Sequence, residues 1–346
     1  MTDSSIDSDI AGWLRRTTPD EEPTTIEESR ALSRRTNAMA IASMNPALIP
    51  ASEVDQVIET AVGSIPVRIL RPAEDSLADR VRPTVVYFHG GGWVVGDIDT
   101  HLGHARRICT QADAVVVSVG YRLAPENPFP AAFDDAVAAT EWAYQHRSEL
   151  GGHDETFVLA GDSAGGQLAA SVAIARRDAG QPVTAQLLLY PVTDAAGCYR
   201  DARVNEFYMS RRTTGNNFGL TLQGMENYAR NYVADAASAD WRVSPIRTPD
   251  LTGVAPAVIH TATLDVLRTE GNFYADRLRT AGVRVVSREW PTLNHSYFGM
   301  GGVSAVADSA AAQAAEDLAE LLAGGGSTAS DGEVPDRPDR QVPSYP

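Results

Sequence analysis

Ser163 sits in Val158-Leu159-Ala160-Gly161-Asp162-Ser163-Ala164-Gly165-Gly166, an apolar run that ends in Gly-x-Ser-x-Gly. Helix-forming residues follow from Gln167 to Arg177. The order strand, sharp turn, helix lifts a serine hydroxyl clear of a sheet edge on a strained backbone. Glycine is needed on both sides, because a side chain at Gly161 or Gly165 would crowd the neighbouring strand and helix. The first turn of the helix brings backbone N–H groups and the positive end of its dipole near the serine. A second stretch supplies the complement. His89-Gly90-Gly91-Gly92-Trp93 directly follows the buried-strand run Thr84-Val85-Val86-Tyr87-Phe88. Attack on a carbonyl builds negative charge on its oxygen, which preorganised donors must meet. Consecutive glycines let backbone N–H groups approach unobstructed. The N–H groups of Gly90, Gly91 and Ala164 are therefore expected to form an oxyanion hole. A nucleotide phosphate loop would need G-x-G-x-x-G or Gly-Lys-Ser, and neither occurs.

A serine nucleophile needs a base, and the base needs an orienting acid. Of the seven histidines, His89 lies in the glycine loop and His260 inside a strand run, as a core residue would. His146 and His153 fall at a helix end and in a loop. His101-x-x-His104 has metal-ligand spacing, but the only thiol or carboxylate placed to join it in sequence is a distant Cys109, so no metal is expected. His295, in Leu293-Asn294-His295-Ser296-Tyr297, lies in a loop between the last strand and the last helix. Two aspartates follow strands, Asp194 and Asp265. Only Asp265 ends the strand immediately before the one leading to His295. The order Ser163…Asp265…His295 is that of α/β-hydrolases.

The elements that must position these groups read as repeated strand and helix. Strands are expected at about 54–60, 65–72, 84–88, 114–120, 157–160, 185–190, 256–263 and 283–287, with helices between most of them. That alternation implies a mostly parallel sheet with helices on both faces. In such sheets chemistry gathers at the carboxyl ends of the strands. Residues 1–50 read as two short helices that precede the first strand. Residues from about 195 to 245 break the alternation and read as a helical insertion, within a catalytic domain of 51–323. The Pro-, Asp-, Ser- and Gly-rich stretch 324–346 is expected to be disordered.

Composition narrows the chemistry. All 29 basic residues are arginine, which excludes Ser-Lys catalysis, Schiff bases and a P-loop lysine. A net charge of −16 gives no reason to bind nucleic acid or an anionic membrane. No apolar run reaches the length of a membrane span. Two widely separated cysteines, Cys109 and Cys198, read as free thiols in a reducing compartment, and the first residues lack a signal-peptide pattern. A cytoplasmic location is the expectation.

Four stretches together carry a resemblance: His89-Gly-Gly-Gly-Trp, Tyr121-Arg-Leu-Ala-Pro-Glu-Asn-Pro-Phe-Pro-Ala-Ala, Gly161-Asp-Ser-Ala-Gly-Gly and Asp265-Val-Leu-Arg-Thr-Glu-Gly. In order and over about residues 50 to 322, the chain resembles the hormone-sensitive-lipase-like family of α/β-hydrolases. The resemblance implies an eight-stranded hydrolase domain under a helical cap made from the N-terminal residues and the insertion. It implies a Ser163–Asp265–His295 triad and carboxylesterase activity on short- to medium-chain esters, with no cofactor. It also makes a homodimer an expectation. Trp93, Phe207 and Tyr208 are candidate substrate-binding residues, and Phe218, Tyr228 and Tyr232 are further aromatic candidates. Asp162 is expected to support the surrounding loops, and Arg122 and Glu126 to form a structural ion pair. Two positions depart from the family pattern: Val266 where proline is common, and Ser296 where glycine follows the histidine. Acyl transfer or deacetylation of a specialised metabolite would use the same residues. A binding protein on the same scaffold would need no intact triad.

Overall fold

A computed structural model describes residues 5–19, 21, 23–73, 82–153, 155–214 and 218–324. The tail expected to be disordered thus lies, but for Gly324, outside the described residues. Eight strands form one sheet: β1 (Ser52–Thr60), β2 (Gly63–Arg71), β3 (Thr84–Phe88), β4 (Val115–Val119), β5 (Phe157–Asp162), β6 (Ala185–Leu189), β7 (Ala257–Leu264) and β8 (Val285–Asn294). Their spatial order is β1-β2-β4-β3-β5-β6-β7-β8. β1 and β2 pair antiparallel, as do β2 and β4, and every later pairing is parallel.

The central strands show why their sequences lack alternation. Every residue of β3, β4, β5 and β6 is buried, because helices cover both faces. Edge strand β8 alternates instead, with its first eight residues half-buried or exposed in turn. One face packs against α4 (Ala131–Leu150), α5 (Ala164–Asp178) and α9 (Arg268–Thr280), and the other against α3 (Leu102–Gln111) and α10 (Ala305–Leu322). The alanine-rich sequence of α10 suits its place, since Ala307, Ala310, Ala311 and Ala314 all lie fully buried in the second core.

Two sets of elements wall the cleft above the sheet. The N-terminal set is α1 (Ser8–Thr17), docked through buried Ile10 and Trp13, and α2 (Ile26–Ala42). A capping box starts α2: Thr25 accepts from Glu28 N–H while the Glu28 carboxylate accepts from Thr25 N–H. That helix buries only Ala40, so polar ties hold it. Arg30 donates to Val94 O and Ala124 O and pairs with Glu126 at 2.7 Å. The second set, between β6 and β7, comprises α6 (Ala202–Phe207), α7 (Met209–Thr213) and α8 (Leu222–Tyr232), of which α8 reaches the cleft.

A buried charge network anchors this insertion to the sheet. Arg211 of α7 and Glu270 of α9 are both fully buried and paired. Glu270 also accepts from Thr193 N–H at 2.8 Å, while the Arg211 guanidinium lies 4.2 Å from the Tyr199 ring centre. Charges survive here without water because each is paired and hydrogen-bonded. Asp194 belongs to the same region: it pairs with Arg247 at 2.7 Å and accepts from Tyr208 Oη at 2.8 Å. The expected Arg122–Glu126 pair does not form. Arg122 pairs with Asp135 at 2.7 Å instead, and Glu126 is taken by Arg30. Both pairs are structural, but partners 13 and 96 residues away outcompete the neighbour in sequence.

Candidate active site

β5 ends at Asp162 and α5 begins at Ala164, so Ser163 is the whole turn between them. Its φ of 54° and ψ of −119° lie where non-glycine residues are rarely found. Two bonds hold it there: Ser163 N–H donates to Leu189 O at 2.9 Å, and its carbonyl accepts from Val192 N–H at 3.1 Å. Gly165 meets the sheet so closely that a Cβ there would lie 2.0 Å from Phe88 O.

His295 follows the last residue of β8, and Asp265 the last residue of β7. The fold brings the three side chains into line. His295 Nδ1 is 2.7 Å from Asp265 Oδ2 and His295 Nε2 is 2.9 Å from Ser163 Oγ. Asp265 Oδ1 accepts from Leu267 N–H at 2.9 Å, which fixes the carboxylate plane. With an ionised Asp265 as acceptor, Nδ1 carries the proton and Nε2 presents a lone pair to the serine. Asp265 is fully buried, while Ser163 and His295 keep 5% and 8% of their surface exposed to the cleft. Tyr190 packs edge-on against the His295 ring at 4.8 Å. Asp194, the other aspartate at a strand end, makes none of these contacts.

The glycine loop corrects one expectation. Gly90 N–H is not free for a substrate oxygen, because it donates to Asp162 Oδ1 at 2.8 Å. Tyr87 Oη donates to the same oxygen at 2.6 Å. Asp162 therefore supports the loop, as expected, and in doing so takes Gly90 out of the donor set. Gly91 and Gly92 line the cleft beside Ser163, and Gly90 does not. Among the described residues, no acceptor engages the N–H of Gly91, Gly92 or Ala164. Gly92 is thus a cleft-lining glycine with an uncommitted N–H that sequence reasoning missed. Gly92 has φ of 58°, and a Cβ there would lie 2.3 Å from Tyr228 Cγ. The glycine is required by the insertion helix packed over it.

The cleft holding Ser163 and His295 has a volume of about 440 Å³. Trp13, Leu14 and Leu32 wall it from the N-terminal helices, and Met225 and Tyr228 from α8. A groove of about 510 Å³ lies on the other side of the glycine loop, along β1 and Gly96–Asp99, but holds no serine and no base–acid pair. The aromatic candidates are mostly placed elsewhere. Trp93 is fully buried, donates from Nε1 to Gln167 Oε1 at 2.9 Å and stacks on Tyr232 at 4.5 Å. Tyr208 is fully buried on Asp194, and Phe207 packs against Tyr208 and Phe273. None of the three lines the cleft. Aromatic indole and phenol groups that find partners inside the fold turn inward, which single-sequence reading does not register. Tyr228 alone of the six lines the cleft.

Ser296 has φ of 67°, in the left-handed region that suits glycine better than a residue with a Cβ. Its side chain adds to the cleft wall. Val266 is buried, and its carbonyl accepts from Ser210 Oγ at 2.8 Å, a contact that ties α7 to the strand end. His260 is the core residue expected: it is fully buried, with Nε2 on Asp317 at 2.8 Å. Cys109 and Cys198 are buried free thiols, and burial pushes both up to about 12. Neither is a thiolate nucleophile.

Residues 85–299 match the alpha/beta hydrolase fold family, and the chain belongs to it, within the hormone-sensitive-lipase-like carboxylesterases. The carboxylic ester hydrolase LipN of Mycobacterium tuberculosis is 40% identical over 262 residues, covering 72% of this chain and 66% of LipN. Esterase LipI of the same organism is 39% identical over 254 residues, 72% of this chain and 76% of its own. Among solved structures, the hyperthermophilic esterase of the archaeon Pyrobaculum calidifontis superposes with a TM-score of 0.80 at 32% identity, covering 92% of this chain and 98% of that one. No described helix is long and apolar enough to cross a membrane.

Proposed function

We propose that the protein is a serine carboxylesterase that hydrolyses small-molecule esters of short to medium acyl chains through an acyl-enzyme. The observation that carries this reading is His295, held between Asp265 at 2.7 Å and Ser163 at 2.9 Å on the floor of a cleft. The relatives named as esterases and carboxylic ester hydrolases support it.

Ser163 Oγ attacks the ester carbonyl as His295 Nε2 takes its proton. Asp265 stabilises the resulting imidazolium and keeps its orientation. The carbonyl oxygen, now an anion, moves onto the N–H groups of Gly91, Gly92 and Ala164. Collapse expels the alcohol with a proton from His295 and leaves Ser163 acylated. Water enters, gives its proton to His295 and attacks the acyl carbon; collapse breaks the bond to Ser163 Oγ, which takes the proton back from His295 as the acid departs. Protein groups and water carry every step. In this reading the N-terminal residues 1–50 and the insertion near 195–245 act as the cap, and α1, α2 and α8 set pocket depth. A cytoplasmic location, consistent with the buried free thiols, and a homodimer are parts of the same proposal.

The test is hydrolysis of p-nitrophenyl esters from acetate to decanoate by wild type, Ser163→Ala and His295→Ala. Turnover of short chains by wild type, and a loss of several orders of magnitude in both variants, is expected. A folded wild type no faster than its variants on every ester would refute the reading for simple esters.

A further inference from the structure

His101-x-x-His104 lacks a carboxylate at ligand spacing in the sequence, and the fold supplies one. The end of β5 lies against the start of α3, so Asp162 Oδ2 is 3.7 Å from His101 Nε2 and 4.0 Å from His104 Nε2. The three ligand atoms all fall within 4.8 Å of one another. All three residues are buried, and all three line the catalytic cleft.

Counting protons leaves this cluster unsatisfied. Thr100 Oγ1 accepts from Asp97 N–H at 2.7 Å and gives its one proton to Asp97 O at 2.9 Å. With that proton so placed, its 2.9 Å contact with His101 Nδ1 is an Nδ1–H donating to oxygen. His101 Nε2 is left with a bare lone pair that faces a carboxylate oxygen. Asp162 Oδ1 is already taken by Tyr87 Oη and Gly90 N–H. His104 is 3% exposed, yet neither ring nitrogen has a hydrogen-bond partner among the described residues. A buried polar atom without a partner destabilises the fold. Three ligand atoms that face one another beyond direct hydrogen-bond distance leave a place for a cation or a bridging donor between them.

The ligand chemistry is specific. Two imidazoles and one carboxylate suit zinc and its late first-row neighbours. A tetrahedral zinc with bonds of about 2.1 Å keeps its ligand atoms about 3.4 Å apart, near the observed His–Asp separations. His101 already has the outer partner that a ligating histidine needs, since Thr100 holds its other nitrogen. Space is kept for His104 by Gly299, where a Cβ would lie 2.6 Å from His104 Cε1. We propose that His101, His104 and Asp162 bind one divalent late first-row ion such as zinc, with its fourth position open to the catalytic cleft. The rival occupant is a buried water that donates to His101 Nε2 and Asp162 Oδ2.

The test reads binding and not hydrolysis, so it stands apart from the esterase reading. Untagged protein is stripped with a chelator and titrated with zinc chloride against a chromophoric zinc indicator. Wild type is expected to take up one equivalent and to gain thermal stability with rising zinc. His101→Gln and His104→Gln should each weaken uptake at least tenfold. A His146→Gln, His153→Gln double variant, altered outside the cleft, should bind like wild type. No stoichiometric uptake by wild type, or undiminished uptake by folded His104→Gln, overturns the proposal in favour of water. If the single variants fail to fold, cobalt(II) added to wild type decides: visible bands of a tetrahedral site support the assignment, and their absence overturns it.

Discussion

Asparagine in place of Asp265 tests the proposed triad through proton placement alone. Asp265 Oδ1 accepts from Leu267 N–H at 2.9 Å, and Oδ2 faces His295 Nδ1 at 2.7 Å. Asparagine has the same shape but one acceptor and one donor. If its oxygen stays on Leu267 N–H, its NH₂ meets His295 Nδ1. That nitrogen must then accept, and the ring proton moves to Nε2, 2.9 Å from Ser163 Oγ. The imidazole now donates to the serine and cannot take its proton. Flipping the amide restores the useful tautomer but sets NH₂ against Leu267 N–H, a buried donor conflict costing about 1–3 kcal/mol. Loss of the negative charge also leaves the imidazolium unsupported in the transition state. Together these effects should lower kcat by about 10⁴, as in the Ser-His-Asp template, or about 5.5 kcal/mol at 1.36 kcal/mol per decade. KM should stay within a few-fold, because Asp265 does not line the cleft. Initial rates on p-nitrophenyl acetate and butyrate measure this, with circular dichroism as a check on folding. Asp194→Asn is the contrast: Asp194 pairs with Arg247 and not with His295, so stability should fall while kcat of the folded protein holds. Activity of folded Asp265→Asn within tenfold of wild type would refute the argument, as would a 10⁴-fold loss of kcat in folded Asp194→Asn.

Three further perturbations read other parts of the structure. Burial holds His101 and His104 at about 3 in the fold, against an ordinary 6.5. The unfolded chain thus binds more protons in between, and stability present above pH 6.5 is lost as pH falls toward 3. For chelator-treated protein, the pair should lower the unfolding free energy by about 3 kcal/mol between pH ~7.5 and ~5.5. Urea titrations at the two pH values check this, and replacing both residues by glutamine should flatten the slope, leaving the part due to the other buried histidines, His89 and His260. Arg211→Met strands Glu270 without its partner in a fully buried site and should cost about 3–5 kcal/mol in urea unfolding. Adding Glu270→Leu should recover much of that loss, and a still less stable double variant would contradict it. Ser296→Gly releases a side chain from φ of 67°. The relief of about 1–2 kcal/mol, less roughly 0.4–1 kcal/mol for the freer unfolded chain, should leave a small gain in melting temperature. A lower melting temperature would show that the serine side chain is itself stabilising.

What could be read without coordinates was whatever depends on neighbours in the chain. The elbow is local: strand, one strained serine, helix, with glycine where the turn meets β3. Asp265 was separable from Asp194 because strand order places it beside the loop carrying His295. The misreadings all turn on which distant group claims an atom first. Trp93 stands next to the glycine loop in sequence, but Gln167 takes its indole N–H and Tyr232 its ring face. Tyr208 is drawn inward by Asp194. Gly90 drops out as a candidate donor because the carboxylate of Asp162, 72 residues away, holds its N–H. That contact gives Asp162 its purpose in the motif. It lies beside the nucleophile in sequence, but its carboxylate reaches back to the glycine loop. By fixing Gly90 it holds the loop whose next two residues, Gly91 and Gly92, line the cleft beside Ser163. The same carboxylate leaves its second oxygen toward His101 and His104, joining stretches more than fifty residues apart in the chain. One side chain therefore ties the nucleophile's turn, the donor loop and the histidine cluster together, and any change at Asp162 must be felt in all three.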